Sequence, residues 1–74
     1  EHEAAVVYYR SLISTYPQSK YVPEAMINLA QALVTVNRVT EARRVLDEIV
    51  EDGFPDETRT QAQNLLKRIE SRSE

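Results

Sequence analysis

The fold is decided by residues 26–46, which read MINLAQALVTVNRVTEARRVL. Apolar residues recur three and four positions apart on both sides of Asn37, and this spacing is the period of an amphipathic helix. Asn adopts the left-handed backbone conformation that ends many helices more readily than most residues do. The stretch therefore predicts two helices that are joined at Asn37.

The same period continues toward both ends of the chain, and Pro17, Pro23, Gly53 and Pro55 mark its interruptions. No alternating apolar and polar run bounded by hairpin residues indicates a strand. The sequence therefore predicts an all-α fold of about four helices, spanning residues 2–16, 21–36, 39–52 and 56–71.

Each predicted helix carries one apolar face, and each break carries residues suited to ending or starting a helix. We expect Ser19 and Asp56 to be the N-caps of the second and fourth helices, since their side chains can accept backbone N–H groups. We expect Asn37 and Gly53 to take left-handed conformations after the second and third helices. The predicted faces are Ala5, Tyr9, Leu12, Ile13 and Tyr16; Met26, Leu29, Ala30, Leu33 and Val36; Val39, Ala42, Leu46, Ile49 and Val50; and Ala62, Leu65, Leu66 and Ile69.

Length and composition favour one small globular domain and exclude several classes of function. The chain has 74 residues, of which 42% are hydrophobic and 28% are charged, and its net charge is −3. An acidic chain lacks the basic surface of a nucleic-acid binder, so we expect no nucleic-acid partner. The longest apolar run, Ala4 to Tyr9, is far shorter than the ~20 residues of a membrane span. We expect no membrane insertion.

The residues that usually carry chemistry are sparse. The chain has no Cys, and His2 is its only His, flanked by two acids at the terminus. A zinc site needs three or four converging ligands, and the acidic turn at residues 51–57 lacks the spacing of a calcium loop. No Gly-rich phosphate loop or activated nucleophile is present. We therefore expect no enzyme, no cofactor and no metal site. Lys67 and Arg68 either form a solvated face or receive an acidic peptide.

An internal repeat relates the helices in alternation. The first helix matches the third at an offset of 37, pairing Ala5 with Ala42 and Tyr9 with Leu46. The second matches the fourth at an offset of 36, which pairs Met26 with Ala62. A helix pair that repeats at this length predicts a solenoid, in which each pair covers the apolar face of the preceding one.

The repeat resembles the tetratricopeptide repeat. That family's pattern of W-x2-L-G-x2-Y, A-x3-F and P is met here by Met26-x2-Leu29-Ala30-x2-Leu33, Ala42-x3-Leu46 and Pro55. The resemblance implies antiparallel helical hairpins stacked as a short right-handed solenoid. Residues 1–74 would then form a single domain: the second helix of a preceding repeat at 2–16, a complete repeat at 21–52, and the first helix of a following or capping repeat at 56–71. Since the chain starts without Met inside an amphipathic segment, we expect it to be an excerpt of a longer protein.

The resemblance also implies a function, namely a protein-interaction module that binds a peptide or a partner helix in a concave groove. In this family the groove is lined by the first helix of each pair. Ile27 and Gln31 depart from the family's two-carboxylate clamp, so an acidic C-terminal tail is not the expected ligand. The groove residues that the resemblance implies are Ile27, Asn28, Gln31, Val34, Thr35, Gln63, Asn64 and Lys67.

The alternative is a structural or oligomerisation domain that associates with itself through helix 2–16. The offset of 37 places Val6 and Val7 where the third helix carries Arg43 and Arg44. An apolar patch of Val6, Val7 and Tyr8 would favour association, so we expect a homo-oligomer, most simply a homodimer.

The linker between the first and second predicted helices resembles the linkers of one group of proteins within this family. Residues 16–25 read YPQSKYVPEA, which is similar to linkers in bacterial cell-envelope proteins, among them the Tol-Pal periplasmic coordinator and outer-membrane-assembly lipoproteins. The resemblance alone implies a bacterial protein and favours the periplasm over the cytoplasm.

Overall fold

The structure, a computed structural model, describes residues 1–72 and consists of helices joined by short turns. The helices are α1 (His2–Thr15), α2 (Val22–Thr35), α3 (Val39–Glu51) and α4 (Asp56–Arg72). Every predicted boundary is confirmed to within one residue, and no strand occurs in residues 1–72. The all-α, short helical-repeat fold is therefore confirmed.

The two predicted left-handed residues end α2 and α3. Asn37 has a φ of 66° and Gly53 a φ of 78°. After α2, the Arg38 N–H donates to the Leu33 carbonyl at 2.8 Å, and the Asn37 N–H donates to the Val34 carbonyl at 3.0 Å. These two bonds form a Schellman motif, which satisfies carbonyls that the helix end leaves free. The chain reverses within three residues, so α2 and α3 form an antiparallel hairpin.

The two predicted N-caps are wrong, although the helices start where they were expected. The N-cap of α2 is Tyr21, and the Ser19 hydroxyl instead accepts the Tyr21 N–H at 3.1 Å in the preceding turn. Asp56 is already the first residue of α4, because the Pro55 carbonyl accepts the first helical bond from the Arg59 N–H at 3.0 Å. Asp56 pairs with Arg59 rather than with the backbone. Pro23 lies in the first turn of α2, where its missing N–H removes no helical hydrogen bond.

The core is centred on α2, which packs against each of the other helices. Seven of its residues are buried, against three of α3. Two predictions for α1 are corrected: Tyr16 is exposed at the helix end, and Val6 is buried with 2% of its surface exposed. The buried residues of the described chain are Val6, Ala25, Met26, Ile27, Leu29, Ala30, Ala32, Leu33, Ala42, Leu46, Ile49, Ala62 and Ile69.

A network of ion pairs joins α1 to α3, whose backbones make no close contact within residues 1–72. Glu41 accepts from Arg38 at 2.6 Å and from Arg10 of α1 at 2.8 Å, while Arg38 also reaches Glu3 at 3.3 Å. The hydrogen bond from Arg38 lowers the pKa of Glu41, and the same bond raises the pKa of Arg38. All of these side chains are partly exposed, so the network orients the helices more than it stabilises them.

Candidate interaction surfaces

A groove runs between α2 and α4, which are equivalent helices of successive repeats in the sequence. Its wider part has a volume of about 470 Å³ and its narrower part about 190 Å³. Both parts are lined by Gln31, Leu65 and Arg68, so they form one continuous depression, called here the α2–α4 groove. Its remaining lining residues are Ile27, Val34, Thr35, Gln61, Asn64, Ile69 and Ser71.

The α2–α4 groove has an apolar floor and a polar rim. Ile27 and Ile69 are buried, and Val34 and Leu65 are half-buried between the helices. The rim residues Gln31, Thr35, Asn64 and Arg68 are exposed. The Thr35 hydroxyl donates to the Gln31 carbonyl at 3.0 Å, so its oxygen can still accept a hydrogen bond. An apolar depression with a few polar groups at its edge is typical of binding sites.

Helical geometry explains why these residues meet. Residues three and four apart share one side of a helix, and on α2 this spacing joins Ile27, Gln31 and Val34. On α4 it joins Asn64 and Arg68. Because α4 packs on α2 as well as on α3, these two sides face each other across the groove.

Five of the eight predicted groove residues line this groove: Ile27, Gln31, Val34, Thr35 and Asn64. Ile27 forms part of the groove floor and offers little accessible surface to a ligand, since only 6% of the residue is exposed. Gln63 and Lys67 are exposed but do not line the groove.

Asn28, the eighth predicted residue, lines a different cleft, between α1 and α2, together with Tyr8 and Tyr21. Asn28 and Asn64 are equivalent in the sequence repeat, but the first faces α1 and the second faces α2.

The sequence did not predict four of the groove residues, namely Gln61, Leu65, Ile69 and Ser71. Arg68 was predicted to form either a solvated face or a contact for an acidic peptide, without a place in the groove. Leu65 and Ile69 were assigned to the core because they lie on the apolar face of α4. They pack on the core and line the groove at once. Arg68 could have been found from the sequence, because it lies four residues after Asn64.

A second surface lies on α1 and the turn before α2. Val7 is 67% exposed and Tyr8 is 61% exposed, and Tyr21 is similarly accessible. The Tyr8 ring packs edge-on against Tyr9, with 5.2 Å between ring centroids, and the Lys20 Nζ lies 5.3 Å from the centre of the Tyr21 ring. We call Val7, Tyr8 and Tyr21 the tyrosine surface. Val6 was predicted to belong to it, but it is buried and takes no part.

A third cleft, of about 570 Å³, lies between α1 and α3, on the side of α2 that faces away from the α2–α4 groove. The buried residues Met26 and Leu29 lie at its base, and the paired Arg10 and Glu41 lie at its rim. Arg44 and Glu48 add one charge of each sign, so this cleft has no net preference for a charged partner. Arg43 and Arg44 each have an acid four residues later on α3, a spacing that predicts the helical pairs Arg43–Asp47 and Arg44–Glu48. Neither pair is among the ion pairs that residues 1–72 form.

Residues 1–72 contain no group of three or more His, Asp or Glu side chains placed to hold a metal ion. None of the helices in this range combines the length and apolarity that crossing a membrane requires.

Helix pairs that repeat at a near-constant length, each leaving a face for the next to cover, define an α-helical repeat protein. A family model of the tetratricopeptide repeat matches residues 1–69, and the chain belongs to that family. Repeats of this family are protein–protein interaction scaffolds and are typically not catalytic. Comparisons with curated proteins and with solved structures give no match.

Proposed function

We propose that this chain binds a peptide or a partner helix in the α2–α4 groove. The observation that carries the proposal is the groove itself, in which two helices of the same type in the repeat present an apolar floor beneath exposed amide and hydroxyl groups. Binding there would bury Val34 and Leu65 further, and burial of apolar area favours association. The rim amides can then donate to and accept from a peptide backbone.

Asn64→Ala tests this assignment, with Asn28→Ala as the matched control. Peptides selected from a library of random linear peptides should bind the Asn64→Ala variant about 1–3 kcal/mol more weakly than wild type, because a backbone group buried against the rim loses its partner. Asn28→Ala makes the same change in the other cleft and should bind like wild type. The measurement is the dissociation constant by calorimetry. Equal affinities of wild type and Asn64→Ala would contradict the groove assignment.

A second candidate function, self-association through α1, is favoured by the exposure of the tyrosine surface. Val7 and Tyr8 are consecutive on α1 and largely exposed, and Tyr21 lines the cleft between α1 and α2 together with Tyr8. Exposed apolar side chains that form a contiguous patch often mark an interaction surface. A closed two-fold dimer is the simplest arrangement, since the same patch then covers itself.

The double variant Val7→Lys/Tyr8→Glu should abolish any concentration-dependent dimer of the wild type in sedimentation, because it places charges in the contact. Val6 is left unchanged, since a charge at that buried position would disrupt folding. Thr60→Lys/Gln63→Glu adds the same charges at exposed sites on α4, a helix that makes no close backbone contact with α1 within residues 1–72, and should behave like wild type. A wild type that stays monomeric at high concentration, or a double variant that still dimerises, would eliminate this candidate.

We also propose a bacterial cell envelope, on the periplasmic side, as the setting of this scaffold. The proposal rests on the sequence of the linker at residues 16–25, which is similar to linkers in bacterial cell-envelope proteins. Immunoblots of periplasmic and cytoplasmic fractions from the source cells would test it, and a purely cytoplasmic signal would refute it.

A further inference from the structure

Arg68 differs from the other residues that line the α2–α4 groove. It lines both parts of the groove, and the other lining residues that the structure describes are all uncharged. Arg10, Arg38 and Arg59 each pair with a carboxylate, whereas Arg68 forms no ion pair within residues 1–72. The groove therefore holds an unpaired guanidinium in a chain whose net charge is −3.

This charge restricts what can occupy the groove. A purely apolar segment lying on Val34, Leu65 and Ile69 would also cover Arg68 or displace it. Removing an unpaired charge from water is costly, and a carboxylate in the right place offsets that cost. A guanidinium also offers a planar fork of donors that matches a carboxylate with two parallel hydrogen bonds.

We infer, on the basis of the proposed function, that the partner is a peptide segment that combines an apolar side chain with an Asp or Glu. The apolar side chain packs on the floor formed by Val34, Leu65 and Ile69. The carboxylate pairs with Arg68 at the rim. Gln31 and Asn64, which line the narrower part of the groove together with Arg68, bind the backbone between the two.

Lys67 provides a matched control for Arg68. It is the preceding residue of α4, it is also exposed, and it also forms no ion pair within residues 1–72. Arg68→Gln and Lys67→Gln remove the same charge from the same helix, but only Arg68 lines the groove. Comparing the two variants therefore distinguishes a direct contact with Arg68 from a general electrostatic attraction.

The experiment selects peptides from a library of random linear peptides on wild type and on both variants. We expect wild type and Lys67→Gln to enrich segments with Asp or Glu near a large apolar residue, and Arg68→Gln to lose the acidic preference. For a selected peptide, Arg68→Gln should raise the dissociation constant about tenfold or more, as expected when a hydrogen bond between charged groups is lost. Replacing the peptide's acid by its amide should produce the same loss in wild type and little further loss in Arg68→Gln.

Several results would overturn the inference. Peptides that depend on Asn64 but show no acidic preference, or bind Arg68→Gln as wild type, would leave the groove function standing and refute the carboxylate contact. Equal weakening by Lys67→Gln and Arg68→Gln would show long-range attraction in place of a contact, and raised salt would then remove the effect. Failure to select any peptide, or selection of peptides that depend on neither Asn64 nor Arg68, would refute the groove function as well.

Discussion

Leu33→Ala is expected to lower the free energy of unfolding by about 2–5 kcal/mol, the usual cost of truncating a fully buried leucine. Leu33 has none of its surface exposed, and it lies on α2, the helix that packs against each of the others. Its removal leaves a cavity that neighbours on several helices would have to fill together. Movement of one helix alone would not close this cavity, so we expect a loss of unfolding free energy in the upper part of that range.

The loss is large for a chain of this size. At ~0.05–0.15 kcal/mol per residue, 74 residues give a total stability of about 4–11 kcal/mol. Urea unfolding followed by circular dichroism would measure the change, with Leu12→Ala as the control because Leu12 is only half-buried on α1. Leu33→Met should fold, since it conserves volume. If Leu33→Ala is no less stable than Leu12→Ala, α2 is not the centre of the core.

The helices could be predicted from the sequence because their determinants are local. The apolar period, the prolines and the left-handed residues act within one turn of the chain, and Asn37 and Gly53 adopt the predicted conformations. The central position of α2 was not predicted. One apolar face was assigned to it, but Ala25, Ile27 and Ala32 are also buried because helices cover it on several sides.

The side of α1 that packs on α2 could not be predicted from the sequence either. Residues 4–9 are apolar nearly all round, so periodicity alone does not choose between the side with Val6 and the side with Val7. Packing on α2 makes that choice, and it buries Val6 while it leaves Val7 and Tyr8 outside. Burial of Val6 could not be read from the repeat either, since its equivalent Arg43 is a charged residue.

Interactions between side chains that are distant in sequence were the least predictable. Arg43 and Arg44 have acids four residues ahead, which predicts helical ion pairs, but the structure pairs Glu41 with Arg10 across 31 positions. The groove shows the same limit: Arg68 joins Gln31 only because α4 folds back beside α2. Spacing along one helix identifies a face, and only the tertiary packing identifies what that face meets.

Ala42→Leu is expected to destabilise the fold by about 1–3 kcal/mol through overpacking. Ala42 lies on α3, which packs against both α2 and α4, and no part of it is exposed. Core side chains sit at close-packed density, so the three added carbon atoms have no space unless α3 moves away from its neighbours. Leu and Ala have similar helix propensities, so the loss would report packing and not helix formation.

Ala4→Leu is the matched control, because it makes the same change at an exposed position on α1. Thermal melts of both variants should show a lowered midpoint for Ala42→Leu and a midpoint within error of wild type for Ala4→Leu. Because α3 also positions α4, a shift of α3 would widen or close the α2–α4 groove. Selected peptides should therefore bind folded Ala42→Leu more weakly than Ala4→Leu. An unchanged midpoint for Ala42→Leu would mean that α3 has room at this crossing and that the small residue of the repeat pattern is not required there.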